Sequence, residues 1–371
     1  MKRFLTYSAV QMFWSVPEFS KPSIYFRITL KVQRLFLGVN KMGGHAIKKA
    51  YTRRYNSEEY KEIANEVLSL LRGYFPDRRI EAIPAYQRKP SFGDLDVLIE
   101  SDNIFYKGLE AVSALFHPKD LVINSNVISF EYKEFQVDLI QVVKAEFQTQ
   151  MNYFSYNDLG NFMGRIAKQV LGVTLGHKGL FYILREDTRV IGEILVSTDW
   201  EKILPYLGYK YSTWKSGFEF LEDIFIFASS SAYFAKEIFQ YESLNYANRI
   251  RDKKRPNYNA FLEWMSAQPS LPEHKIVISP EEQLSRLFKE FPKSLEDYEQ
   301  LLLEDSKKKL FKERFNGSVV ASVTNLFGRE LGKFMEAFIK KKGQDWIIAS
   351  NKVEITEEIL CFYKMYSTAS F

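Results

Sequence analysis

Apolar residues recur at helical spacing from position 60 onward, with Tyr60, Ile63, Val67, Leu70 and Leu71 on one side of a helix. Asn56 followed by Glu59 is a capping-box start for that helix, and Gly73 is expected to end it. After the short apolar run 80–83 comes Gly93-Asp94-Leu95-Asp96-Val97-Leu98-Ile99, which predicts a buried strand carrying two acids on one face. Residues 127–130 and 135–142 predict a hairpin around Tyr132-Lys133-Glu134, with Gln136, Asp138 and Ile140 sharing a face of the second arm. Residues 158–171 read as a helix with Leu159, Phe162, Met163, Ile166 and Val170 inward and Gly172 at its stop. A shorter α+β stretch extends to about residue 215. Beyond it, helices are expected at 218–239, 281–291, 295–315, 328–342 and 356–365, with Pro256, Pro269, Pro272 and Pro280 marking a long break. The fold class expected is therefore α+β.

Composition narrows the function classes. The chain has 371 residues, 46% hydrophobic and 26% charged, which suits a globular protein of about two domains. One cysteine, Cys361, leaves no internal disulfide framework and no cysteine-based zinc site, and the four histidines show no ligand spacing. No apolar run is long enough for a membrane helix, so no membrane partner is expected, and the location expected is intracellular rather than secreted. The net charge of +5 fits a nucleic-acid partner without demanding one. Residues 1–41 hold seven Lys or Arg against the single acid Glu18. They read as an organelle transit segment, a poorly ordered basic extension, or sequence upstream of a start at Met42.

The chemistry centres on three acids. In a strand, Asp94 and Asp96 project to one side, roughly 7 Å apart along the backbone. A third acid on an adjacent strand can meet them, and Asp138 stands in the otherwise apolar stretch Phe135-Gln136-Val137-Asp138-Leu139-Ile140. Three carboxylates on a buried sheet are costly unless a cation neutralises them, and Mg²⁺ favours carboxylates combined with substrate phosphates. Two such ions would activate an attacking oxygen and stabilise a leaving pyrophosphate. Taken alone, the Asp-x-Asp pair is more often an ordinary strand end. Asp158, Asn161 and Arg165 fall at i, i+3 and i+7, one polar stripe opposite the apolar one, so they can face a common partner. As a solvated helix face they would need no partner.

With its surroundings, this pattern resembles the family X DNA polymerases, the DNA polymerase beta-like nucleotidyltransferases. The resemblance runs over about residues 52–215. It rests on the basic loop and strand Tyr86-Gln87-Arg88-Lys89-Pro90-Ser91-Phe92-Gly93-Asp94-Leu95-Asp96, the acid in Val137-Asp138-Leu139, and Tyr153-Phe154 at the family's spacing after it. Asp158, Asn161 and Arg165, the corner Tyr206-Leu207-Gly208-Tyr209 with Asp199-Trp200-Glu201 before it, and Arg54-Tyr55-Asn56-Ser57-Glu58-Glu59 complete it. The resemblance implies a nucleotidyltransferase palm at 42–150, a nucleotide-selecting thumb-like subdomain at 151–215, and a helical domain of unassigned role at 216–371. It implies a monomer working on DNA primer-template and nucleoside triphosphates, most simply a repair-type, template-directed DNA polymerase adding dNTPs to a 3′ end. Asp94, Asp96 and Asp138 would bind two Mg²⁺ ions, with Mn²⁺ as substitute. Arg54 and Arg88 would neutralise the triphosphate, Tyr153, Phe154, Asp158 and Asn161 would contact the nucleotide, and Arg165 the template. Template-independent transfer to RNA or DNA ends, and a catalytically decayed nucleic-acid-binding protein, are the rival readings.

The chain departs from the family in several places. Pro84-Ala85 replace the usual Gly-Ser ahead of a loop one residue shorter, losing a hydroxyl and an N–H for phosphate. Tyr156-Asn157 stand where the family has Gly-Ser, and no helix-hairpin-helix glycines or lyase domain precede the palm.

Overall fold

The computed structural model describes residues 46–101 and 105–368, so the basic segment 1–41 lies outside the described residues. The described chain divides into two compact units, one containing the residues up to Ala82 together with Ser91–Gln141, the other containing Ile83–Pro90 and Val142 onward.

In the first unit, α1 (Ser57–Tyr74) begins with the capping box read from sequence. Asn56 Oδ1 accepts from the Glu58 and Glu59 amides, and the Asn56 amide donates to the Glu59 carboxylate. The helix does not end at Gly73; it continues to Tyr74, and the Phe75 amide closes the last turn on the Leu71 carbonyl. Ile63, Val67 and Leu71 are buried along its length. β1 (Tyr55–Asn56) pairs with β3 (Ser91–Phe92), while β2 (Ile80–Ala82), β4 (Asp94–Glu100), β5 (Leu121–Asn124), β6 (Val127–Tyr132) and β7 (Phe135–Val142) form a mixed sheet in the order β2-β4-β7-β6-β5. The expected hairpin is β6–β7, pairing Val127 with Ile140 and Tyr132 with Phe135. β7 is buried along its whole length, which explains its near-continuous apolar run. α2 (Phe105–Phe116) packs on β6.

The second unit has a core that runs without a break from Leu159 to Phe291. α3 (Phe147–Phe154) precedes α4 (Leu159–Val170), whose Phe162 stacks on Phe261 at 4.4 Å. All five residues read as inward on α4 are buried. Gly172 follows the helix at φ +69°, and Gln283 Nε2 bonds the Val170 carbonyl there. β8 (Thr174–Gly176), β9 (Gly179–Glu186) and β10 (Arg189–Ser197) make a three-stranded antiparallel sheet, followed by the helix Trp200–Tyr206 that Asp199 caps.

The single helix expected at 218–239 is instead the helix Leu221–Ser229 and then turns. Ser230 Oγ bonds the Phe227 carbonyl, and Ser231 Oγ donates to the Leu207 carbonyl while accepting from the Tyr233 amide. Serine side chains that compete for backbone groups in this way end helices. The proline-marked break is partly helical, with helices Tyr246–Asp252 and Pro256–Ser266, the latter carrying Pro256 in its first turn where no N–H is needed. Helices Pro280–Glu290 and Lys293–Arg314 follow close to their expected bounds. The last four helices, from Gly317 to Thr368, enclose a smaller core of Phe315, Val320, Phe334, Phe338, Ile347, Ile355 and Ile359. Of these, Lys352–Thr368 starts earlier than the apolar pattern suggests, because Asn351 and Glu354 form a second reciprocal cap. No helix among the described residues is long and apolar enough to cross a membrane.

Candidate metal centre and the residues around it

β4 and β7 are neighbours in the sheet, and this brings the three acids together. Alternation along β4 buries Leu95 and Val97 completely and leaves Asp94 and Asp96 half-buried on the other face. Each of Asp94, Asp96 and Asp138 offers one carboxylate oxygen, and these oxygens lie within 4.8 Å of one another. Such a cluster of hard oxygen donors can bind a divalent cation.

Asp138 is the most constrained of the three. Its cross-strand partner is Ser129, which hydrogen-bonds its carboxylate. Gln136 Nε2 donates to both carboxylate oxygens, at 2.9 and 3.1 Å. Gln136 is itself fixed, since its Oε1 accepts from the Ala46 and Ile47 amides. These neutral donors favour the carboxylate, yet burial, and after it the charge of Asp94, push the Asp138 carboxyl up to about 7.

Three contributors, Ser129, Gln136 and Tyr60, went unread as site residues in the sequence. Gln136 was legible only as a residue sharing the Asp138 face. Tyr60, read as one more apolar position of α1, stacks on Phe92 at 3.7 Å, and its hydroxyl feels the charges of Asp96 and Asp94. Burial, then those two carboxylates, push that hydroxyl up, so it stays protonated. Its spacing fits the apolar stripe equally well, so no sequence signal separates it.

Arg54 belongs to the same unit. Its Nε donates to Ser91 Oγ at 3.1 Å and its terminal nitrogen to the Ser91 carbonyl at 3.0 Å, across the β1–β3 pair and three residues before Asp94. Arg54 as a residue is exposed.

The remaining expected site residues lie in the second unit. In the basic loop, the Pro84 carbonyl accepts from the Tyr156 amide, and the Gln87 and Arg88 amides donate to the carbonyls of Phe218 and Glu219. Arg88 is exposed, and its side chain pairs with Glu219 at 2.8 Å. Tyr156 and Asn157, standing in place of glycine and serine, both adopt φ +63°, a conformation that costs an aromatic residue energy. The packing of Tyr156 against Phe218 and Trp214 holds it there. Phe154 stacks on His177, and the Tyr153 carbonyl approaches α4 so closely that a Cβ on Gly160 would stand 2.3 Å from it.

The polar stripe of α4 does face one common partner, and the partner is the chain itself. Asp158 pairs with Arg255, Asn161 Oδ1 accepts from Arg251 at 3.1 Å, and Arg165 pairs with Asp252. Asp252 is fully buried, and Arg165 is 7% exposed with its guanidinium over the Tyr258 ring at 4.9 Å. Arg165 therefore does not stand on an open surface as a template-contacting residue would. Asp252 keeps Arg251 on its other oxygen at 2.9 Å, so Arg165→Ala removes one of two charged bonds and is expected to destabilise the fold by about 1.5–3 kcal/mol. Urea unfolding measures this, and a loss under about 1 kcal/mol would show that Arg251 alone suffices to compensate Asp252.

Among families of known proteins no model matches this chain, and no curated protein matches it.

Proposed function

We propose that this chain is a divalent-cation-dependent nucleotidyltransferase that extends a nucleic-acid 3′ end, acting most simply as a template-directed DNA polymerase. The observation that carries the reading is the convergence of Asp94, Asp96 and Asp138 on adjacent strands. The residues suit Mg²⁺ or Mn²⁺, because all three donors are hard oxygens and Asp138 is a buried acid whose charge calls for a nearby cation. Asp94 and Asp96 would hold two ions and Asp138 one of them. Bound there, the ions supply charge neutralisation for a triphosphate and for the displaced pyrophosphate. Gln136 and Ser129 keep the Asp138 oxygens aimed, which positions the acid beside the attacking 3′ hydroxyl. Arg54, in the same unit as the acids, offers its guanidinium group to phosphate.

Template-independent transfer is the second reading, and one observation favours it. Asp158, Asn161 and Arg165 are engaged with residues 251–255, so the stripe that would inspect a nascent pair is occupied. Primer extension by the full chain with Mg²⁺, on matched, mismatched and absent template, tests both. Incorporation only against a matched template supports polymerase action, and equal incorporation without template supports the second reading. No incorporation from any dNTP or NTP overturns both.

The phosphate loop gives a further expected result. Restoring Gly and Ser at Pro84 and Ala85 adds a hydroxyl and an amide donor. One hydrogen bond to a charged group is worth roughly 1.5–3 kcal/mol, so the nucleotide KM should fall about ten- to a hundredfold. An unchanged or higher KM would show that the loop's other donors already hold the phosphates.

A further inference from the structure

The net charge is unevenly spread. Residues 1–41 carry seven cations and one acid, so residues 42–371 together have a net charge of −1. Against that neutral background, Arg249-Ile250-Arg251-Asp252-Lys253-Lys254-Arg255 places five cations and one acid in seven residues. The one acid, Asp252, is fully buried and points inward at Arg165, so the outer surface of the segment is cationic. Lys253, Lys254 and Arg251 are exposed, and Arg255 is partly so. The exposed acid Glu242 lies nearby in sequence, and Asp158 is already paired with Arg255.

Two further features separate this segment from a solvated charge run. It is rigidly anchored: Asp252 takes Arg165 on Oδ2 and Arg251 on Oδ1, Arg251 also reaches Asn161, and Arg249 bonds the Leu244 carbonyl. It also carries large apolar groups in the open, Tyr246 being 76% exposed and Ile250 41% exposed on the same helix. Lys253 lies over the Tyr241 ring at 5.3 Å. Exposed cations on an anchored segment, interleaved with exposed aromatic and aliphatic groups, match a sugar-phosphate backbone with bases that stack.

We propose that residues 246–255 form a DNA-binding ridge, in which Arg251, Lys253 and Lys254 contact backbone phosphates and Tyr246 stacks on a base of a single strand. Arg165 and Asp252 are then positioning residues that hold the ridge on α4. The proposal deepens the nucleotidyltransferase reading by assigning a surface to its DNA substrate, and it is testable without turnover.

The experiment is fluorescence anisotropy of the full chain with a labelled DNA single strand, the matching duplex, and an RNA strand of the same sequence, all in EDTA. For Lys253→Gln/Lys254→Gln, single-strand affinity is expected to fall about tenfold or more at moderate salt. The slope of log affinity against log salt should shrink by about 1.4, since each single-strand phosphate contact contributes roughly 0.7. Tyr246→Ala should weaken single-strand binding at least fivefold while sparing duplex. Unchanged affinity and slope in the lysine variant, or no DNA binding by the wild type, would overturn the ridge, and stronger binding of the RNA strand would overturn its assignment to DNA. These variants alter only exposed side chains, and circular dichroism checks that they fold. Asp96→Ala is the separate control: it should bind DNA like the wild type, so failed catalysis and a failed ridge give different results.

Discussion

Asp138→Asn is expected to make the cation-free protein more stable at neutral pH while abolishing the proposed nucleotidyl transfer. Burial, and after it the Asp94 charge, push the Asp138 carboxyl from the ordinary 3.8 up to about 7 in the folded chain. Between those values the folded state binds more protons than the unfolded state, so stability falls as pH rises from about 4 to 7. The buried charge is thus a net cost to the folded state at neutral pH, on the order of a few kcal/mol. Asparagine removes the charge and keeps the shape, although one of the two bonds from Gln136 loses its acceptor, so a gain of roughly 1–3 kcal/mol is expected. Urea unfolding in EDTA at pH 5 and pH 7.5 measures it, with the gain expected at the higher pH. Added Mg²⁺ should stabilise the wild type and leave the variant unmoved. A variant less stable than the wild type at pH 7.5 would contradict the burial argument.

Asp96→Ala carries the other large effect. Asp96 shares the open face of β4 with Asp94, and in the proposed reaction it holds both ions. Its loss should lower single-turnover incorporation about a thousandfold or more, roughly 4 kcal/mol of transition-state stabilisation. Binding of primer-template rests on backbone charge contacts and should change little. Substantial turnover by purified Asp96→Ala would sink the acid-centred mechanism. The variant also isolates Tyr60, whose hydroxyl loses one of the two carboxylate charges acting on it.

The acid cluster was legible in the sequence because its ingredients are local: a period-two strand and a carboxylate in an apolar run. Neighbouring strands did the rest, since the hairpin left β7 free to lie beside β4. The capping box at Asn56 and the inward face of α4 were legible for the same reason. What the sequence hid depends on distant partners. Nothing near Arg165 announces Asp252, 87 residues away, so a polar position at helical spacing reads as exposed when it is buried in an ion pair. The 218–239 run misled because its apolar content masks the Ser229-Ser230-Ser231 triplet, whose hydroxyls capture backbone groups. Gln136 and Tyr60 were hidden by ambiguity, one polar neighbour and one aromatic among many.

The loop Ile83–Pro90 separates from its flanking strands by joining the second unit. During synthesis, Arg88 leaves the ribosome well before Glu219, 131 residues later, supplies its counter-charge and the carbonyl for its amide. At about 5–20 residues per second, that wait lasts on the order of ten seconds. The first unit can pair its strands meanwhile, but it does so around an eight-residue excursion whose partners do not yet exist. A fragment begun at Val142 would have the converse defect: the Tyr156 amide and the Phe218 and Glu219 carbonyls would lose their partners in the loop. The two units are thus interleaved along the chain, and neither is encoded by one uninterrupted stretch of coding sequence.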